Sequence, residues 1–154
     1  MFDTILVATD GSESVSRAVG LAIDLAARFD ASVHALYVVE AEEVESSPVA
    51  VREDLRDALG ERGQRALERI SDAAGAREET LDVVTDVREG DPADEISVHA
   101  ESIDADLVVT GTRGRHGENR FLIGSVAEHV VRNCPVPVLT VRRLTNEDPR
   151  QVTV

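Results

Sequence analysis

The chain has 154 residues and a formal net charge of −14 at pH 7. That length suits one domain. The acidic balance argues against binding to nucleic acid or to anionic membranes, both of which need cationic neutralisation, and no apolar run reaches the ~18 residues that would cross a bilayer. Lysine is absent, so all 16 basic residues are arginine. This acidic, lysine-free composition is of the halophilic type, in which salt screens self-repulsion. The start, MFDTILVATD, has no basic leader region, so a cytoplasmic location is expected. A lone Cys134 excludes an intrachain disulfide and reads as a small hydrophobe.

Thr4 to Thr9, TILVAT, is a β-branched and apolar run, expected as a strand buried on both faces. It empties into Asp10-Gly11-Ser12, and Ser12 or Ser14 can cap the helix that follows. That helix aligns Val15, Ala18, Val19, Ala22, Ala26 and Phe29 on one stripe. Ser32 to Val39 is the second strand. The acidic, serine-rich segment from Glu40 to Ser47 reads as a solvated loop. Val51 to Ala74 has the period of a long helix, weakened in the middle by Gly60 and Gly63, where a break could fall.

Leu81 to Arg88 alternates apolar and polar residues, as a half-solvated edge strand does. Asp91 and Pro92 then mark a helix start, with Ile96, Ala100 and Ile103 as its apolar stripe. Asp106 to Thr110 is a short buried strand. Val136 to Val141 is a fifth strand, and Pro137 places it at an edge. From Thr145 onward the chain is polar, so the expected division is a domain over residues 1–144 and a frayed tail over 145–154.

Strands alternating with helices predict an α/β fold, a single doubly wound five-stranded parallel sheet with helices on both faces. The two edge strands, third and fifth, fit the order 3-2-1-4-5. Its switch point lies between strands one and four, so a ligand crevice is expected at their C-terminal ends, with Asp10 beside Gly111.

The most informative stretch is DLVVTGTRGRHGENRFLIGSVAEHVV, residues 106–131. Here a buried strand runs into Gly111 and Gly114, and Gly124-Ser125 opens a helix carrying Val126, Ala127, Val130 and Val131. Glycines admit a close ligand, and the unpaired N–H groups of a first helical turn attract anions, phosphate above all. Arg113, Arg115 and Arg120 oppose Glu118 alone, a local charge of +2 within an acidic chain. No Walker A lysine exists, no G-x-G-x-x-G follows the first strand, and His34, His99, His116 and His129 are scattered without a metal-cluster spacing. No Ser-His-Asp arrangement suggests itself, so no catalytic residue is assigned.

The spacing Gly111, two residues, Gly114, nine residues, Gly124-Ser125 resembles the ATP-binding signature of the universal stress protein family. The similarity extends through ILVATDGSESVSRAV, LYVVE, REGDPADEI and GSVAEHVVRNCPVPVLTVR, about residues 2 to 143. It implies an adenine nucleotide hydrolase-like fold and binding of ATP, or of ADP or AMP, with Mg or Mn. Thr9 and Asp10 would end the first strand, Asp10 reaching the ribose or a phosphate-bound metal. The backbone at Val38 would read the adenine edge, and Thr110 and Gly111 would line ribose and phosphate. Gly114 would let the loop close, while Gly124, Ser125 and Val126 would donate to the phosphates, beside Arg113 of the basic patch. The resemblance also implies a homodimer paired through Val138 to Val141, acting as a stress-response or signalling switch with unknown protein partners; with no evident general base and no lysine, at most slow hydrolysis is expected. A nucleotide-free dimeric adaptor is the alternative. An adenylating enzyme is disfavoured, because Thr9-Asp10-Gly11-Ser12 departs from S-G-G-x-D-S.

Overall fold

A computed structural model describes residues 2–78, 80–112 and 123–143. Five parallel strands, β1 (Thr4–Thr9), β2 (Ser32–Glu40), β3 (Val83–Gly90), β4 (Leu107–Gly111) and β5 (Val138–Val141), form one sheet in the order β3-β2-β1-β4-β5. This is the expected order, with β3 and β5 at the edges. Between the strands run α1 (Ser16–Phe29), α2 (Ala41–Glu45), α3 (Arg52–Arg77), α4 (Pro92–Ser102) and α5 (Ser125–Asn133).

The alternation of strand side chains divides the core in two. Ile5, Val7, Val33, Ala35, Tyr37 and Val109 pack on one face with α1 and α3. Leu6, Leu36 and Val108 pack on the other with Ala93, Ile96 and Ala100 of α4 and Val130 of α5. In β1 the residues Ile5, Leu6 and Val7 are fully buried, as a central strand covered on both faces requires. The start of β1 is clamped by Asp106. Its N–H donates to the Thr4 carbonyl at 2.8 Å, and its carboxylate accepts from the N–H groups of Asp3 and Thr4 at 2.8 and 3.0 Å.

Four local expectations need correction. The Glu40–Ser47 segment is not a plain solvated loop, since Ala41–Glu45 is helical and Val44 is fully buried against the α1/α3 core. Helix α3 runs unbroken for 26 residues. Gly63 is retained because Tyr37 lies against it: a Cβ built there would stand 2.5 Å from the ring. Val131 points to solvent, because the buried stripe of α5 is Ala127 and Val130. Strand β5 begins at Val138 rather than Val136, with Pro137 just outside it. The Pro137 carbonyl still accepts from the Val108 N–H at 2.9 Å.

Candidate functional site

At the C-terminal ends of β1 and β4 the sheet opens into a cleft of about 200 Å³. Adjacent parallel strands whose crossovers run to opposite sides leave such a gap at their carboxyl ends. Thr9 and Asp10 enter it from β1, Val38 from β2, Thr110 and Gly111 from β4, and Gly124, Ser125 and Val126 from the start of α5. Eight of the ten residues singled out in the sequence thus line one cavity. Arg113 and Gly114 lie outside the described residues, as do the other charges of the basic stretch.

The walls differ in chemistry. On one side Leu36, Val38, Pro92 and Ile96 present an apolar surface contributed by β2 and α4. The lining also includes the hydroxyl-bearing residues Thr9, Thr110, Thr112 and Ser125 and the first turn of α5. The backbone turns sharply after β1. Gly11 has φ +80°, a conformation that side chains with a Cβ resist, and its N–H donates to Thr9 Oγ1 at 3.0 Å. Ser12 does not cap α1. Instead its N–H and its hydroxyl both donate to Asp10 Oδ1, at 2.9 and 2.6 Å, so the turn holds the Asp10 carboxylate at the mouth of the cleft.

The helix start is built from the other side. The Gly124 N–H donates to the Thr112 carbonyl, which brings both ends of the glycine-bounded segment together beside β4. The Thr112 N–H in turn donates to the Val141 carbonyl at 3.3 Å, tying this corner to β5. Gly124 is the residue before α5 and has no side chain to cap it. The N–H groups of Ser125, Val126 and Ala127 precede the first intrahelical donor, Glu128, whose N–H reaches the Gly124 carbonyl at 2.9 Å. They form the positive end of the helix dipole, and all three residues line the cleft. By contrast, the start of α4 is self-contained, because Asp91 accepts from the Asp94 N–H at 3.1 Å.

Sequence reasoning missed Leu36, Glu40, Thr112, Pro92, Ile96 and Ala127. Leu36 could have been found, since it lies two residues before Val38 on the same strand face. The contribution of α4 could not, because it depends on how that helix packs. The histidines are also less scattered than the sequence suggests, for the fold brings His34 and His99 together with Asp86, none of which is in the cleft lining. No described helix is long and apolar enough to cross a membrane.

Comparison with known proteins agrees with this architecture. The profile described as universal stress protein family matches residues 1–142. Universal stress protein MJ0531 of Methanocaldococcus jannaschii is 39% identical over 148 residues, covering 96% of this chain and 86% of its own length. Among solved structures, the universal stress protein UspA from Lactobacillus plantarum superposes with a TM-score of 0.81 at 27% identity, covering 92% of this chain and 98% of its own. A universal stress protein crystallised in complex with cAMP gives a TM-score of 0.71 at 29% identity, over 92% and 97% of the two chains. On the family match over nearly its full length and the shared strand order, the chain belongs to the universal stress protein family.

Proposed function

We propose that this protein is a nucleotide-dependent switch that binds an adenine nucleotide, ATP in the first instance, in the cleft between β1 and β4. The observation that carries this reading is that one cleft is lined both by an apolar group of residues and by the uncapped start of a helix. An apolar surface at Leu36, Val38 and Ile96 suits a flat base. The uncapped start of α5, with N–H groups at Ser125, Val126 and Ala127, suits a phosphate chain. Thr9 and Thr110, in the same lining, carry hydroxyls that suit a ribose. A relative crystallised with cAMP supports the adenine assignment. Phosphate-bound Mg or Mn would sit towards Asp10, whose Oδ1 is held by Ser12.

The role is binding rather than rapid turnover, because the chain contains no lysine to stabilise phosphoryl transfer. A ligand spanning the cleft would contact β2, α4 and α5 at once, so occupancy would shift the balance among their arrangements and alter the surface shown to a partner. Assembly as a homodimer through Val138–Val141 fits the position of β5, an edge strand among the described residues. Calorimetric titration with Mg-ATP, ADP, AMP and cAMP tests the assignment. Saturable binding of an adenine nucleotide, with GTP at least about tenfold weaker, is expected, a gap of ~1.4 kcal/mol. Absence of binding to any of them would leave the nucleotide-free adaptor as the working description.

A further inference from the structure

On the face of the sheet that carries α4, away from the cleft lining, three potential metal ligands converge. His34 comes from β2, Asp86 from β3 and His99 from α4, and one ligand atom from each lies within 4.8 Å of the others. The strand register explains the meeting. His34 pairs with Val84 and Leu36 with Asp86, so His34 and Asp86 share a face two residues apart, and α4 lays His99 over them. We propose that His34, Asp86 and His99 bind a divalent transition-metal cation of the zinc class, with water as the fourth ligand, and that the ion ties the edge strand β3 to β2 and α4.

The unmet hydrogen-bonding capacity of the histidines supports this. His99 is only 5% exposed, yet among the described residues neither of its ring nitrogens has a hydrogen-bond partner, and neither has His34 Nδ1. His99 Nε2 stands 3.3 Å from Asp86 Oδ2, close but without the angle of a hydrogen bond. A buried imidazole nitrogen normally has a partner, and a cation between Nε2 and the carboxylate would supply one for Nε2. Tetrahedral zinc with bonds of about 2.0–2.1 Å holds its ligand atoms about 3.3 Å apart. The His99–Asp86 pair already has that span, and no pair in the group is more than 4.8 Å apart. Two imidazoles with one carboxylate favour zinc-class ions over calcium or magnesium. The guanidinium of Arg88 lies near His99. Arg88 is itself drawn towards Glu95, at 3.4 Å. The Asp86 side chain is 45% exposed, which leaves an entry path and room for water.

The test is titration of chelator-treated protein with Zn2+ by calorimetry and with Co2+ by visible absorption, on the wild type and on Asp86→Asn, His34→Gln and His99→Gln. Asp86→Asn is the safest variant, because its side chain is half in solvent, and circular dichroism confirms that each protein is folded. The expected result is one Zn2+ per chain, intense tetrahedral Co2+ bands, and a loss of affinity of at least about 10–100-fold in Asp86→Asn and His34→Gln, since even residues that only support metal ligands are worth that much. No saturable binding by the folded wild type, or binding of unchanged affinity in Asp86→Asn and His34→Gln, would overturn the proposal.

Discussion

Gly63 has no room for a side chain, and Gly60, one turn earlier in α3, has nothing within 4 Å of the place a Cβ would take. The same substitution should therefore act in opposite directions. In Gly63→Ala the new methyl meets the ring of Tyr37, which is 1% exposed and cannot retreat. A loss of about 1–3 kcal/mol is expected. Gly60→Ala should gain about 0.5–1 kcal/mol, because alanine restricts the unfolded chain and suits a helix. Urea unfolding of the two variants measures both. Asp106 gives a second prediction at this scale. The N–H groups of Asp3 and Thr4 hold its carboxyl below the ordinary value of 3.8. A carboxyl whose folded pKa is depressed contributes stability that is complete above its unfolded pKa and is lost as pH falls through the folded one. Acidification below about pH 4 should accordingly destabilise the wild type more steeply than Asp106→Asn, as read by unfolding midpoints down to about pH 2. The site residues legible in the sequence were those whose backbone matters, Gly111, Gly124 and Ser125, because glycine spacing states a local geometry. Leu36, Pro92 and Ile96 were not, since a side chain on a cleft wall looks like any core residue until neighbouring elements are placed.

At the scale of elements, all five strands and α1, α3, α4 and α5 could be read from periodicity and caps, Asp91-Pro92 before α4 being the clearest case. Two elements misled for physical reasons. Helix α3 looked broken because glycine propensity opposes a helix, but packing against Tyr37 outweighs that cost. Helix α2 looked like a loop because four of the residues from Glu40 to Glu45 are acidic, and the one residue that docks it, Val44, carries no pattern by itself. Its complete burial makes Val44 the anchor of the segment between β2 and α3. In Val44→Asp a charge would replace that anchor, an unfavourable burial that frees α2 instead. Limited proteolysis should then cut between residues 41 and 51 more than about tenfold faster than in the wild type, while α3 and the sheet stay protected. Because Glu40 lies both at the head of this segment and in the cleft lining, the same variant reports whether α2 steadies the cleft.

For the whole molecule, charge and topology act together. A net charge of −14 places the folded chain under self-repulsion. Its thermal midpoint should rise between low salt and molar KCl, where the Debye length falls to about 3 Å. A midpoint that does not move with salt would mean that carboxylate repulsion is already compensated by arginine pairs such as Arg56–Glu89 and Arg77–Asp24. The strand order was deducible from two edge assignments, β3 from its alternation and β5 from Pro137, although Pro137 proves to lie just outside β5. That order in turn set Asp10 near Gly111 and located the cleft. What the order could not convey was the meeting of His34, Asp86 and His99, three residues far apart in the chain whose contact depends on register and helix docking together. The most direct measurement is thermal unfolding with and without excess Mg-ATP, in the wild type and in Ser125→Glu. A glutamate at the first position of α5 suits the helix dipole and keeps the fold, while it repels a phosphate chain from the N–H groups of that turn. ATP at about 100 times its dissociation constant should stabilise the wild type by ~2.7 kcal/mol, a rise of about 5–10 °C, and should leave Ser125→Glu unmoved. Equal shifts in both folded proteins, or none in the wild type, would contradict binding of the nucleotide between β1, β4 and the start of α5.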